Sequence, residues 1–267
     1  MEFKEIRGAR IPLIGCGIYG LGRDANHDRQ DIEAIQYAIE CGSTHIDTAE
    51  RYARGHAEEL VGEAIGDFDR SKLFITTKVW LDNLRYADVL SSCGASLQRM
   101  KTPYVDLYLI HWPDRKIPLE ETLRGIDQLV DEGLIRFIGV SNFDLVDFEE
   151  AQRLARHGVL TNQVEYNLLR KEPEQELLPY CQQNNLLLTA YSPLQIGAIR
   201  SGLNPLLDRL AQKYQRTPAQ IALNYLISHE NVIVIPKASQ KGHIKENSQA
   251  SGWRLESKDV QLLEGES

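Results

Sequence analysis

The segment HIDTAERY at residues 45–52 decides how the chain is interpreted. It begins with a short apolar, strand-like run that stops at a carboxylate, Asp47. A phenol, Tyr52, follows after one short loop. A strand that ends on a chemically capable side chain is typical of a barrel of parallel strands, in which the carboxyl ends of the strands share one rim.

Two later segments repeat this arrangement. TTKVW at residues 76–80 brings Lys78 to the end of a strand-like run, and LIHWP at residues 109–113 ends another run at His111. Each residue alone has an ordinary alternative: a helix N-cap for the aspartate, a solvated surface charge for the lysine, and a core imidazole for the histidine. Taken together, their spacing predicts an acid, a base, a phenol and an imidazole at one rim, which is a proton-handling site.

The rest of the chain alternates between strand-like and helix-like patterns. Apolar, partly β-branched runs predict strands at residues 11–17, 44–47, 73–79, 105–111, 135–140, 161–166, 186–191 and 232–235. Amphipathic stretches predict helices at residues 31–41, 56–65, 86–100, 119–132, 145–157, 174–184, 218–228 and 242–249. Eight strands alternating with eight helices predict a parallel sheet that closes into an α/β fold, the (β/α)8 TIM barrel, as a single domain over residues 1–267.

The two ends of the chain are expected to extend this barrel. Residues 3–10, with an Arg-Gly turn, are predicted to pair back on residues 11–14 as a short N-terminal hairpin that closes the barrel bottom. An extra helix is expected at residues 203–215, after the seventh strand, and a short final helix at residues 257–264.

Composition indicates a soluble, cytoplasmic enzyme. The 267 residues suit a barrel of this type, and 42% hydrophobic with 25% charged residues is ordinary for a globular protein. A net charge of −8 disfavours nucleic acid as a partner, and no apolar run approaches the ~20 residues of a membrane span. The N-terminus does not resemble a signal peptide, and the four separated cysteines are expected to be buried thiols in a reducing cytosol. No metal site is expected.

The segment GCGIYG at residues 15–20 matches the dinucleotide-binding fingerprint of a Rossmann domain. That motif requires its glycines to open a helix directly, so that the helix N-terminus receives the pyrophosphate. Here residues 21–29 are polar, and helical periodicity begins only near Asp31. Close packing of the first strand against its neighbours or a ligand therefore explains these glycines better.

Eight ordered motifs make the chain resemble the aldo-keto reductases nearly from end to end. They are GCG at residues 15–17, HIDTA at 45–49 with Tyr52, TKVW at 77–80, HWP at 111–113, GVSNF at 139–143, NQVEY at 162–166, AYSPL at 190–194 and IPK at 235–237. The resemblance implies a barrel that binds a nicotinamide dinucleotide in an extended form, without a Rossmann domain. It implies a small carbonyl compound as substrate and NAD(P)H-dependent reduction to an alcohol.

The resemblance also implies a role for each reactive residue. Tyr52 is expected to be the general acid that protonates the carbonyl oxygen as hydride arrives. Because a free tyrosine has a pKa of about 10, the ammonium of Lys78 is expected to lower the pKa of Tyr52. Asp47 would hold Lys78 in place, and His111 would orient the carbonyl and hydrogen-bond Tyr52.

Further positions correspond to the cofactor and substrate sites of the family. Ser141, Asn142 and Gln163 correspond to residues that hold the nicotinamide carboxamide. Tyr191 corresponds to the aromatic residue that stacks on the nicotinamide ring. The other expected cofactor contacts are Gly17, Ile18, Tyr19, Asp47, Ser192, Leu194, Lys237, Ala238, Ser239, His243, Glu246 and Asn247. The apolar substrate pocket is expected to be walled by Tyr19, Trp80, His111 and Trp112.

Two departures from the family pattern affect the expected specificity. Where the family commonly has Ser and Arg to clamp the 2′-phosphate of NADPH, this chain has Ala238 and His243. Because His lacks the permanently charged, bidentate fork of Arg, we expect NADP(H) to bind with a smaller advantage over NAD(H), and both cofactors to be used. The sequence given stops soon after residues 262–263, so the long tail that covers the pocket in some relatives is not expected, and the pocket should accept many carbonyl compounds.

Two other functions compete with this interpretation. One is a barrel that binds the nucleotide as a regulatory or interaction module without significant catalysis, and the other is a Schiff-base lyase that uses Lys78. The presence of all four reactive residues favours the reductase over the regulatory barrel. A monomer is expected, with a dimer as the alternative.

Overall fold

The computed structural model describes residues 1–195, 199 and 204–265. Eight parallel strands form one curved sheet in chain order, and a two-stranded antiparallel hairpin precedes it. Backbone hydrogen bonds close the sheet into a barrel: Gly15 N donates to Val234 O at 2.8 Å, and Val234 N donates to Leu13 O at 2.9 Å. The strands are β1 Phe3–Ile6, β2 Ala9–Pro12, β3 Cys16–Gly17, β4 His45–Asp47, β5 Phe74–Val79, β6 Val105–Ile110, β7 Ile135–Ser141, β8 Val159–Glu165, β9 Leu187–Tyr191 and β10 Val232–Val234.

Helices cover the outside of this barrel, so the predicted (β/α)8 fold is confirmed. They are α1 Asp28–Glu40, α2 His56–Ile65, α3 Tyr86–Met100, α4 Leu119–Asp131, α5 Leu145–Leu154, α6 Leu177–Gln183, α7 Pro205–Tyr214, α8 Pro218–Ser228, α9 Lys241–Ser248 and α10 Ser257–Glu264. The extra helix expected at residues 203–215 is α7, and residue 203 lies outside the described residues. The final helix, α10, has the predicted bounds.

The N-terminal hairpin is present, but it takes more of the chain than expected. β1 pairs with β2 across a turn in which Arg7 and Gly8 both have positive φ angles, 47° and 82°. The first barrel strand, predicted over residues 11–17, is reduced to β3, because residues 9–12 belong to the hairpin instead. The apolar run at residues 11–17 thus contributes first to the hairpin and then to the barrel sheet.

The sequence pattern predicts that the fifth helix continues to residue 157, and this prediction is wrong. α5 ends at Leu154, since the carboxylate of Asp127 accepts the backbone N–H groups of Arg156 at 3.0 Å and of His157 at 3.2 Å. Those two N–H groups would otherwise continue the helical hydrogen-bond pattern. A side chain from the preceding helix therefore terminates α5.

The glycines of the GCGIYG segment allow close approach between strands. A Cβ atom on Gly15 would lie 2.8 Å from His45 Nδ1, and one on Gly17 would lie 2.8 Å from the carbonyl oxygen of Ile235. The first long helix begins only at Asp28. These glycines serve barrel closure, as expected, and they do not open a helix N-terminus.

The cysteines behave as packing residues. Cys16, Cys93 and Cys181 are buried free thiols, and burial raises the pKa of each to about 12. Cys41 is partly buried. In the described part of the chain, no helix is long and apolar enough to cross a lipid bilayer. Within the same residues, no group of three or more His, Cys, Asp or Glu side chains is placed to hold a metal ion.

Candidate active site

A buried ion pair occupies the carboxyl-terminal rim of β4 and β5. These strands are parallel neighbours with Asp47 opposite Thr76, so Lys78 lies two residues further along β5 and can reach back to the carboxylate. Lys78 Nζ lies 2.5 Å from Asp47 Oδ1 and donates to the carbonyl oxygen of Thr48 at 2.8 Å. Because the Lys78 side chain is completely buried, it needs these partners to remain charged.

The phenol of Tyr52 lies beside this pair. Lys78 Nζ donates to Tyr52 Oη at 3.5 Å. Tyr52 begins a tight turn in which Ala53, Arg54 and Gly55 all have positive φ angles of 47°, 58° and 95°. Non-glycine residues rarely adopt this conformation, so the surrounding structure holds the turn in place.

The imidazole of His111 completes the group. His111 follows β6 and is 9% exposed. Its ring lies edge-on to Tyr52 with centroids 5.8 Å apart, and edge-on to Trp80 at 5.1 Å. Burial, with a smaller contribution from the nearby Lys78 ammonium, lowers the pKa of His111 to about 3. His111 is therefore neutral at physiological pH and carries one N–H.

The direction of the Tyr52 pKa shift differs from the prediction. Burial raises the pKa of Tyr52 by more than the ammonium of Lys78 lowers it, so the expected net decrease is wrong. Burial also opposes the charged form of Lys78, but the carboxylate of Asp47 outweighs that effect, and the pKa of Lys78 is raised. At neutral pH the site thus holds a protonated phenol next to a charged ammonium.

A hydrogen-bonded amide network extends from this group across β7 and β8. Gln163 Nε2 donates to the second carboxylate oxygen of Asp47 at 2.7 Å. Ser141 Oγ donates to the carbonyl oxygen of Gln163 at 2.9 Å. Asn142 Nδ2 donates to the carbonyl oxygen of His111 at 3.1 Å and to Ser141 Oγ at 3.0 Å. The network ties three predicted cofactor residues to two predicted catalytic residues.

The groups left over in this network fit a primary carboxamide. Tyr191 Oη donates to Asn142 Oδ1 at 2.9 Å, which leaves one lone pair on that oxygen. One lone pair on Ser141 Oγ and the second amide N–H of Gln163 are also left. Among the groups left, these two acceptors and this donor match the two N–H groups and the carbonyl oxygen of a nicotinamide carboxamide. Tyr191, half-buried at the end of β9, supplies an aromatic ring beside them.

The remaining predicted cofactor residues lie at neighbouring strand ends and on α9. Gly17 forms a parallel bridge with Lys237, and Ile18 N donates to Asp47 O at 2.9 Å. Ser192 has a φ angle of 48°, and Leu194 packs against the core. At the start of α9, Lys237 Nζ donates to Ser239 Oγ at 3.4 Å, and His243 Nδ1 lies 3.2 Å from Glu246 Oε2. Ala238, which precedes α9, and Asn247, near its end, are both buried.

Aromatic side chains line the mouth of the site. Tyr19 lies edge-on to Tyr52 with centroids 5.3 Å apart and is 59% exposed, and Trp112 is 42% exposed. The backbone of Trp80 is held by a residue that the sequence pattern does not single out: Glu50 Oε1 accepts the backbone N–H of Trp80 at 2.5 Å and an N–H of the Asn83 side chain at 3.1 Å. Glu50 stands inside the HIDTAERY segment, but nothing in its type distinguishes it from a solvated surface charge.

The geometry disfavours the lyase alternative. A Schiff-base lysine must be a neutral amine that reaches the substrate carbonyl. Lys78 is completely buried and ion-paired, and its pKa is raised.

The family model described as "Aldo/keto reductase family" matches residues 13–265. The chain is 39% identical to "Methylglyoxal reductase YeaE" of Escherichia coli (strain K12), over 95% of this chain and 90% of that protein. Its fold is similar to that of a thermostable aldo-keto reductase, Tm1743, solved with the inhibitor epalrestat, with a TM-score of 0.95, 44% identity and 98% coverage of both chains. An aldo/keto reductase from Klebsiella pneumoniae, solved with NADP and acetate, has a TM-score of 0.91 and 39% identity, with 96% of this chain and 92% of that chain covered.

Proposed function

The chain belongs to the aldo/keto reductase family and is an NADP(H)-dependent reductase of carbonyl compounds, in which we propose that Tyr52 is the general acid. One observation carries this assignment: the Tyr52 hydroxyl lies 3.5 Å from an ammonium that a buried carboxylate holds at 2.5 Å. No other ionisable group contacts the phenol among the hydrogen bonds of the described residues.

A nicotinamide held by these residues would supply the hydride for reduction of the carbonyl carbon. Tyr52 gives its proton to the carbonyl oxygen, and Lys78 stabilises the phenolate that remains. Asp47 keeps Lys78 charged and in position. His111, neutral because of its low pKa, donates its N–H to the same carbonyl oxygen and orients the substrate.

Ser141, Asn142 and Gln163 hold the carboxamide in this proposal, and Tyr191 supports one face of the nicotinamide ring. Because Gln163 also contacts Asp47, the residue that positions the ring is joined directly to the residue that positions the acid. Such a connection fixes the distance between hydride and proton donors, which is the part of catalysis that depends on geometry.

The experiment that tests this function follows the loss of NADPH absorbance with a panel of aldehydes and ketones, methylglyoxal included. We expect an alcohol product in stoichiometric amount with the NADPH consumed. Tight NADPH binding with no turnover across the panel would favour the regulatory barrel instead.

We also propose that NADH is used. The expected 2′-phosphate position holds Lys237 and Ser239 but no arginine, and its imidazole, His243, lies against the carboxylate of Glu246. A carboxylate at this position repels a phosphate and accepts hydrogen bonds from ribose hydroxyl groups. The kcat/KM values for both cofactors should differ by less than about a thousandfold, or roughly 4 kcal/mol, and His243→Arg should widen the difference. A larger difference in the unmodified enzyme would contradict dual use.

We further propose that the enzyme works as a monomer in the cytoplasm and accepts many carbonyl compounds. The buried free thiols suit a reducing compartment, and the exposed rings of Tyr19 and Trp112 leave the mouth open. Light scattering during gel filtration tests the monomer. A strong preference for one compound in the carbonyl panel would contradict the broad specificity.

A further inference from the structure

Two guanidinium groups lie on the aromatic walls of the site. Arg23 Cζ is 4.9 Å from the centroid of the Tyr19 ring, and Arg51 Cζ is 5.3 Å from the centroid of the Trp80 ring. Both arginines are exposed. A guanidinium stacked on an aromatic face keeps its N–H groups free at its edge and loses less side-chain freedom when it binds an anion.

Each of these aromatic rings also touches a reacting group. Tyr19 lies against Tyr52 at 5.3 Å, and Trp80 lies against His111 at 5.1 Å. The two guanidinium carbons are therefore at most about 10 Å from the rings of Tyr52 and His111, by addition of these contact distances. The hydrogen bonds at the two ends of a substrate, each about 3 Å long, cover much of that distance, so an anionic group a few bonds from the carbonyl carbon can reach a guanidinium group.

Neither arginine is neutralised by an ion pair within the described ranges. The neighbouring carboxylates have other partners: Asp24 binds Asn26 and His27, and Glu50 binds Trp80 and Asn83. This contrasts with arginines elsewhere in the fold, such as Arg99, which pairs with buried Glu58. A chain with a net charge of −8 thus places two unpaired cations at the mouth of its site.

We infer that the site prefers aldehydes or ketones that carry an anionic group, a carboxylate or a phosphate ester, a few bonds from the carbonyl carbon. Arg23 and Arg51 bind that group, and Tyr19 and Trp80 set the positions of the two guanidinium groups. Arginine presents a planar fork of donors that matches both anions. This inference rests on the proposed reductase function and names the substrate class of the same site.

The test uses two matched pairs of substrates that differ in charge. One pair is 4-oxobutanoate and its methyl ester, and the other is glyceraldehyde 3-phosphate and glyceraldehyde. The ratio of kcat/KM for the charged member to that for the neutral member should be about three to ten at low ionic strength, the range expected for two exposed charge pairs. Because these pairs are exposed, 0.5 M salt should reduce the ratio towards one.

Substitutions locate the effect. Arg51→Met and Arg23→Met keep most of the side-chain stem and should each lower the charged-to-neutral ratio two- to threefold, mainly through KM. Arg51→Lys keeps the charge and should restore part of the ratio. Arg124→Met is the matched control, because Arg124 stacks on Tyr86 at 4.9 Å on the outer helices and should not affect the ratio.

Each outcome separates this inference from the proposed function. Equal kcat/KM for the charged and neutral members, with NADPH consumed for both, would overturn the anion preference and leave the reductase function in place. An equal decrease for both members in Arg51→Met would also overturn it, because the arginine would then act on Tyr52 or Trp80 through packing. Absence of NADPH consumption with every substrate would contradict the proposed function itself.

Discussion

Two buried carboxylates, Asp47 and Asp106, are contacted by residues at opposite ends of the same strand, β5. Near its end, β5 presents Lys78 to Asp47, and near its start it donates the N–H of Ile75 to Asp106 Oδ2 at 2.9 Å. Asp106 also pairs with Arg70 and Arg136, each at 2.8 Å. Both carboxylates are therefore fully partnered.

The difference between the two sites lies in what surrounds each pair. Arg70 has further hydrogen bonds to Thr102, Leu73 and Tyr104, so few polar groups in the Asp106 cluster lack a hydrogen-bond partner. Around Asp47 and Lys78, the Tyr52 hydroxyl has one long hydrogen bond and His111 Nδ1 is buried without a partner in the described residues. A saturated ion pair stabilises the barrel, whereas an ion pair next to unsatisfied groups is available for chemistry.

The largest expected effect is that of Tyr52→Phe. Removal of the hydroxyl removes the proton donor, and general acid catalysis contributes about 10²- to 10⁴-fold, so kcat/KM should fall by that factor. NADPH binding and the free energy of unfolding should change little, because the ring remains. Carbonyl turnover and NADPH fluorescence titration measure the two effects.

Tyr37→Phe, which removes a phenol on α1 outside the site, is the control for this substitution and should retain full activity. Turnover of Tyr52→Phe within tenfold of the unmodified enzyme would contradict the assignment of Tyr52 as the acid.

Asp106→Asn should show the opposite behaviour. It removes the charge between two guanidinium groups in a buried position, and loss of one member of such a cluster costs about 3 kcal/mol. The urea midpoint should fall accordingly, while kcat of the folded enzyme stays within about twofold. Asp47→Asn should instead lose most activity. Equal losses of kcat in the two variants would show that the two sites are not distinct.

The parts of the fold and of the site that the sequence predicted are those whose residues form a recognisable pattern with their neighbours in the chain. Asp47, Lys78 and His111 each end an apolar run, so strand periodicity together with parallel order was sufficient to bring them to one rim. The Asp106 cluster has no such pattern, because Arg70 and Arg136 are 36 and 30 residues away from Asp106 in the chain. The same holds for Asp127, which ends α5 from another helix.

The sign of the Tyr52 shift was missed for a related reason. The sequence shows that a cation is close to the phenol, but the depth at which both are buried depends on how the whole barrel packs. Desolvation is a property of that packing, and here it exceeds the effect of the ammonium.

In the active site, the buried His111 should also lower the free energy of unfolding in acid. The pKa of His111 is about 3 in the folded protein, against 6.5 for a free histidine. The unfolded chain therefore binds a proton that the folded protein excludes, and the stability from this group is present above pH 6.5 and is lost as pH falls towards 3. Between pH 7 and pH 5 the loss is about 2 kcal/mol.

His111→Gln should remove that loss. Urea unfolding at pH 7 and at pH 5 gives the decrease in stability for each protein, and the decrease should be about 2 kcal/mol smaller in the variant. Burial lowers the pKa of His45 to about 4 and also lowers the pKa of His229, and both residues stay in the two proteins and contribute to the remaining acid sensitivity. The same decrease in both proteins would show that His111 is not a buried neutral group.

The smallest effect is expected where the two kinds of site meet on β5. Lys78 points into the site, and the preceding residue, Thr77, points outwards, where its hydroxyl donates at 2.5 Å to Glu58, the buried partner of Arg99. Thr77→Val keeps the shape but leaves that carboxylate with one fewer donor, which should cost about 1.5 kcal/mol of unfolding free energy. Thr161→Val is the matched control, since within the described residues the Thr161 hydroxyl bonds only to neutral Thr189, and it should cost less. If kcat of Thr77→Val stays within twofold, the Glu58–Arg99 pair is purely structural. A tenfold loss of kcat at normal stability would instead mean that this pair positions Lys78 through the strand. The separation between stabilising and reactive ion pairs would then fail at Thr77.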